Sequence, residues 1–246
     1  MRQTVACVFE KIEEVCWEEA ILHEFQNGRV DGILISVSGE TINSDHIKKV
    51  MDNGIPVLFF DRICEDVKTA RIITDDEESG YKATAHLVER GCREIAFLCI
   101  SSHLSISNSR LEGYKKALAK FKMGKPVVLN CNNSYEDNYS IIKEMLGKKN
   151  RPDGIIACVE KLTTPVYLAC NTLKLRIPAD VKVISFTNLT TALILDPPLT
   201  TITQPAYEMG KAAATVLFKA LGNSAFDLTN ERVVISSSLV VRDSTR

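Results

Sequence analysis

Residues 74–100, TDDEESGYKATAHLVERGCREIAFLCI, hold a helix start, a helix, a stop and a buried strand in that order. Asp75 stands where a capping side chain is wanted, and Asp76, Glu77 and Glu78 put negative charge in a first turn, where the helix dipole favours it. Tyr81, Ala85 and Val88 then share one face, which Leu87 widens, and Gly91 after Arg90 ends the helix. Ile95–Ile100 is apolar at every position, so both faces of that strand need cover. Such strands belong to parallel sheets flanked by helices.

The same alternation extends in both directions. Val5–Phe9, Ile33–Val37, Val57–Phe60, Val127–Leu129, Ile155–Val159 and Val183–Phe186 read as further strands. Between them, helical periodicity predicts helices over Glu13–Gln26, Ser44–Asp52, Glu77–Arg90, Arg110–Phe121, Glu136–Leu146, Thr163–Leu173 and Tyr207–Leu221. The pattern is βαβα throughout, an α/β fold. Asn53-Gly54-Ile55-Pro56 and Arg176-Ile177-Pro178 are breaks leading from a helix into the next strand. No glycine-rich linker divides the 246 residues, so two lobes would be joined by chain passing directly between them, at Ser101–Ser109 and Leu199–Pro205.

Composition removes several classes. Hydrophobic residues at 45% and charged residues at 25% exclude disorder and coiled coil. Thirty Lys+Arg against 31 Asp+Glu give a net charge of −1, without the basic excess that holds a phosphate backbone. No apolar run reaches membrane-spanning length, and the first residues lack the apolar core of a secretory signal, so the expected location is the cytoplasm. Eight scattered Cys, without C-x-x-C spacing or nearby His, read as buried reduced thiols; neither metal nor cofactor is expected.

Enzyme signatures are absent: there is no G-x-S-x-G, P-loop, G-x-G-x-x-G or H-E-x-x-H. His86, inside a helix, reads as a satisfied structural histidine. Asp75-Asp76 reads as a helix cap before an acid/base pair. Residues 101–114, SSHLSISNSRLEGY, are the most informative for function. A hydroxyl-rich loop containing Ser105 follows the buried strand and ends in Arg110, whose guanidinium fork suits the paired oxygens of a sugar or carboxylate.

At this point the chain resembles the lactose-repressor (LacI/GalR) family of transcriptional regulators. The resemblance rests on Val30-Asp31-Gly32-Ile33-Leu34-Ile35-Ser36, Gly54-Ile55-Pro56-Val57-Leu58-Phe59-Phe60-Asp61-Arg62, Asp75-Asp76 with residues 85–96, and Arg110-Leu111-Glu112-Gly113-Tyr114. Arg151-Pro152-Asp153-Gly154-Ile155, Ile177-Pro178-Ala179-Asp180-Val181, residues 198–205 with Met209-Gly210, and Leu239-Val240-Val241-Arg242-Asp243-Ser244 continue it in order. The resemblance implies a periplasmic-binding-protein-like type I effector domain of two Rossmann-like lobes with parallel sheets. Residues 1–100 plus 205–222 would form the N-terminal lobe, and 101–204 plus 223–246 the C-terminal lobe. A small effector, expected to be a carbohydrate, would sit in an interlobe cleft and bias a homodimer's DNA-binding heads.

By the same resemblance Asp75, Arg110 and Gln204 fall at cleft polar positions, and Phe186 forms a pocket wall. Three positions depart from the family's pattern: Val159-Glu160 replaces Asn-Asp, Thr187 replaces a strongly polar residue, and Asn133 replaces a stacking aromatic. The chain aligns from the family's second strand onward, with no helix-turn-helix and no first βα unit. An interior gap would leave two backbone ladders unpaired, so Thr4–Phe9 is expected to shift inward beside Ile33–Val37, or another chain to fill the slot. The weighed alternatives are a sugar-binding protein of a transport system and, with less support, an enzyme on the same scaffold. Arg110→Ala is expected from sequence to remove ligand-induced stabilisation and leave the fold intact.

Overall fold

A computed structural model describes residues 4–8, 15–28, 30–100 and 105–246. Phe9, the start of the first expected helix and Ser101–Leu104 of the expected loop lie outside the described residues. In chain order the strands are β1 Val5–Val8, β2 Gly32–Ile35, β3 Val57–Phe60, β4 Arg71–Thr74, β5 Ile95–Cys99 and β6 Val127–Asn130. They continue with β7 Gly154–Ala157, β8 Lys182–Phe186, β9 Thr200–Thr203, β10 Arg232–Ile235 and β11 Ser238–Val240. The α-helices are α1 Val15–Gln26, α2 Asp45–Asp52, α3 Asp76–Glu89, α4 Ser105–Lys120, α5 Tyr135–Gly147, α6 Thr163–Thr172 and α7 Ala206–Gly222. Among the described residues, none is long and apolar enough to cross a membrane.

The chain divides into two compact units. The first takes the described residues of 1–74, 103–106 and 205–236, and its parallel sheet runs β1-β2-β3-β4-β10. Alternation along its strands explains its two cores. Ile33, Ile35, Val57 and Phe59 pack with Leu22 of α1 and Ile47 and Val50 of α2, whereas Leu34 and Leu58 pack with Met209, Ala213 and Leu217 of α7. Strand β1 pairs directly with β2, Val5 opposite Gly32 and Val8 opposite Ile35. This is the inward pairing expected for Thr4–Phe9, and it leaves no unpaired ladder between the two strands.

The second unit takes the described residues of 75–102, 107–204 and 237–246. Its sheet runs β11-β9-β8-β7-β5-β6, parallel except for β11, which is antiparallel to β9. Phe97 and Cys99 face Ala83 and Leu87 of α3 and Tyr114 and Leu118 of α4. Ala96 and Leu98 face Ile142 and Leu146 of α5 and Val166 and Ala169 of α6. Tyr114 is fully buried, donates its hydroxyl to the Ile95 carbonyl at 2.7 Å and accepts the Val127 N–H at 2.9 Å. Burial pushes its pKa up to about 12.

The units divide at different points from those expected. Residues 75–100, assigned from sequence to the N-terminal lobe, carry α3 and β5, and β5 lies inside the second sheet between β7 and β6. Residues 223–236, assigned to the C-terminal lobe, carry β10, which pairs with β4 at the edge of the first sheet. The reason is physical: an all-apolar strand such as β5 must be covered on both faces, while β10, exposed at alternate residues, suits an edge. The expected serine loop also ends early, because α4 begins at Ser105 rather than Arg110. The buried stripe of that helix runs through Ile106, Ser107, Arg110, Tyr114, Ala117 and Leu118, and its two polar members hide the helical period.

The described cysteines are free thiols; Cys92, Cys99, Cys131, Cys158 and Cys170 are buried, as read from sequence, whereas Cys7 is exposed. Among the described residues no group of three or more His, Cys, Asp or Glu is placed to hold a metal ion. His86 is the structural histidine expected. Its Nε2 lies 2.9 Å from Thr245 Oγ1, and burial, followed by the Arg90 charge, lowers its pKa.

Candidate functional site

The order of the second sheet places its topological switch between β5 and β7, since the chain builds β6 on one side of β5 and returns to the other with β7. Ligands of open parallel sheets settle at the carboxyl ends of strands on such a point. Arg110 spans it. Carried by α4, which follows β5, it donates from Nη1 to the carbonyl of Cys158, just beyond β7, at 2.7 Å. Its Nε donates to Asp76 Oδ1 in the first turn of α3, also at 2.7 Å. The guanidinium lies 4.2 Å from the ring centre of Phe186, the last residue of β8. Both charged side chains are almost completely buried, at 4% and 7% exposure.

In that setting a guanidinium is held by a carboxylate, a carbonyl dipole and an aromatic face. These two bonds use two of the five guanidinium N–H groups. Ser107, one turn earlier on α4, is buried, and its hydroxyl faces the Cys158 thiol. Cys158 contributes its backbone; burial drives its thiol pKa up to about 12 against the opposing Arg110 charge, which leaves it a small hydrophobe.

The other residues singled out from sequence divide around this cluster. Thr187, adjoining Phe186, donates to Glu160 Oε2 at 2.6 Å and accepts the Leu189 N–H at 3.0 Å. Val159 is half-buried between two core clusters. Gln204 is tied through its backbone: its N–H donates to Asn188 Oδ1, and its carbonyl accepts from Asn188 Nδ2, both at 2.8 Å. Asn133 is exposed in the turn after β6, and Ser105, the first residue of α4, is half-buried and falls in the first unit.

Asp75 corrects the capping expectation. It occupies the N-cap position of α3, yet its carboxylate makes no cap bond to the helix backbone. Oδ1 instead accepts the Ser237 N–H at 2.7 Å and the Ser79 hydroxyl at 3.0 Å, and Lys82 Nζ lies 3.3 Å from Oδ2. Burial raises the pKa of this group, but the Ser237 amide, Ser79 and Lys82 outweigh it and hold the carboxyl below its ordinary value. Three participants went unread in the sequence: Asp76 as the partner of Arg110, the Cys158 carbonyl and Ser107. Only Asp76 left a signal, a second acid where a cap needs one.

Residues 84–245 match the periplasmic binding protein-like domain family. The chain belongs to that family. Among relatives, a ribose operon repressor of Haemophilus influenzae is 26% identical over 91% of this chain and 66% of its own length. An HTH-type transcriptional repressor PurR of Vibrio atlanticus is 31% identical over 78% of this chain and 58% of its own. The chain thus spans about three-fifths to two-thirds of the curated relatives it matches. Among solved structures, the transcription regulator CcpA of Lactococcus lactis superimposes with a TM-score of 0.88 at 20% identity, over all of both chains. A LacI family transcriptional regulator from Enterococcus faecium with bound ribose gives 0.84 at 22%, over 99% of this chain and 98% of its own. These superpositions establish the fold, two α/β units with parallel-dominated sheets of periplasmic-binding-protein-like type I.

Proposed function

We propose that the chain is the effector-sensing domain of a LacI-type transcriptional repressor, and that it binds a small polar molecule, a monosaccharide first among candidates, and releases it unchanged. The buried Arg110 carries this reading: a guanidinium held in place by Asp76, the Cys158 carbonyl and the Phe186 ring stands at a strand-end switch point, with N–H groups beyond those two bonds to offer a ligand. Phe186 supplies apolar surface for the carbon face of a sugar, and Thr187 with Glu160 supplies polar atoms beside it. The repressor names of the relatives support regulation over transport and over catalysis. DNA would be read by a helix-turn-helix elsewhere in the full regulator, which acts in the cytoplasm as a homodimer. Exposed Leu189, Leu193 and Ile194 in the second unit give that dimer an apolar surface.

A thermal-denaturation panel of pentoses, hexoses, hypoxanthine and guanine tests this reading. At a hundred times its Kd, the effector should stabilise the fold by about 2.7 kcal/mol, a rise of several degrees in Tm. D-ribose is the first probe. A purine as the sole stabilising compound would replace the sugar assignment, and no shift from any member would remove the effector role.

A further inference from the structure

A second polar cluster, in the first unit, lies outside everything assigned so far. Glu18 on α1 is almost fully buried, with 1% exposure. Its Oε2 accepts the backbone N–H of Ser38 at 2.8 Å, and its Oε1 accepts the Thr41 hydroxyl at 3.0 Å and lies 2.7 Å from His46 Nε2. Ser38 and Thr41 belong to the loop that leaves the carboxyl end of β2, and His46 to the first turn of α2. One buried carboxylate therefore joins a helix, a loop and a second helix through three donors. A carboxyl group is tolerated in such a place only when its oxygens are hydrogen-bonded, and here Glu18 uses them on the segment that follows a parallel strand.

The far end of the loop is fastened separately, by Ser44 Oγ donating to Asp66 Oδ2 at 2.5 Å. Between the two anchors Ile42 is held out in water at 82% exposure. A loop serving only to connect β2 to α2 has no need of a buried carboxyl group to fix it, because surface connections are ordinarily left mobile. This one is fixed beyond the carboxyl end of β2, which lies inside the first sheet between β1 and β3, and carboxyl ends of parallel strands are the side on which such sheets take ligands.

We propose that Glu18, with His46, is a positioning pair that holds the Ser36–Thr41 loop in the conformation the first unit uses to bind effector. The role rests on the effector reading above. Glu18 does not touch the ligand; it acts through the Ser38 amide and Thr41. In Glu18→Gln the side-chain shape is kept, but an amide N–H2 now faces a donor, so one of the three bonds is lost.

The test is titration calorimetry with D-ribose on the parent, Glu18→Gln and Leu22→Val, together with amide exchange of residues 36–43. Leu22 lies on the same helix and packs into the core that also holds Val37, so its truncation loosens that packing while leaving the three hydrogen bonds of Glu18 in place. Glu18→Gln should raise Kd about tenfold, as expected for one lost hydrogen bond, and speed exchange at Ser38, while Leu22→Val keeps the parent Kd. An unchanged Kd in Glu18→Gln, or an equal weakening in Leu22→Val, overturns the positioning role alone. A parent that takes up no monosaccharide overturns the effector reading, and this role with it.

Discussion

Arg110→Ala is expected to cost the second unit about 3–5 kcal/mol, because it takes one member out of a buried, hydrogen-bonded ion pair. The sequence alone reads Arg110 as a ligand clamp whose removal spares the fold. The geometry overrules that part, since Nε and Nη1 are already spent on Asp76 and the Cys158 carbonyl. Asp76→Leu combined with Arg110→Met should recover most of the loss, because a well-packed apolar pair replaces a desolvated ionic one at little net cost. Urea midpoints of the parent, the single and the double variant decide the matter. A loss below about 1 kcal/mol for Arg110→Ala would mean that the pair behaves like an exposed one, screened by water.

The second large effect concerns the crossing of α3 and α4. A Cβ on Gly113 would collide with the Glu77 carbonyl, and one on Gly80 with the Arg110 carbonyl; both obstacles are backbone and cannot swing aside. In an exposed helix interior, Gly→Ala gains roughly 0.5–1 kcal/mol. At Gly113 the steric term is larger and opposite, about 3 kcal/mol, and prising the helices apart also moves Arg110 away from Cys158. Gly210→Ala, in α7 where an added Cβ meets nothing within 4 Å, is expected to stabilise by the propensity gain alone. Opposite signs for the two variants in urea denaturation are the expected result. Two gains would mean that α3 and α4 do not approach as closely as described.

These expectations show which parts of the molecule are legible in a sequence. Strands such as β3 and β5 are apolar on both faces and declare themselves. Strands β4 and β9, Arg-Ile-Ile-Thr and Thr-Thr-Ile-Thr, are buried as completely at several positions but carry polar β-branched side chains, and went unread. The same blindness hid the first turn of α4, whose inner face holds Ser107 and Arg110. The candidate site was legible as residue types, an Arg after a buried strand and an aromatic at the end of another. It was not legible as an arrangement, because the Asp76–Arg110 bond joins residues 34 apart and the Cys158 contact uses a carbonyl that every residue possesses. Glu18 drew no notice for a related reason: on a helix rich in acids, nothing in its neighbours distinguishes the one carboxylate that points inward.

The central claim, that effector is bound at the Arg110 cluster, is tested most directly by hydrogen exchange with mass spectrometry, with and without saturating D-ribose. The account predicts slower exchange in residues 105–114, 157–163 and 185–189. No change there would contradict it. So would protection confined to residues 51–57 and 220–229, which border a cavity of about 680 Å³ at the opposite, amino ends of β2 and β3.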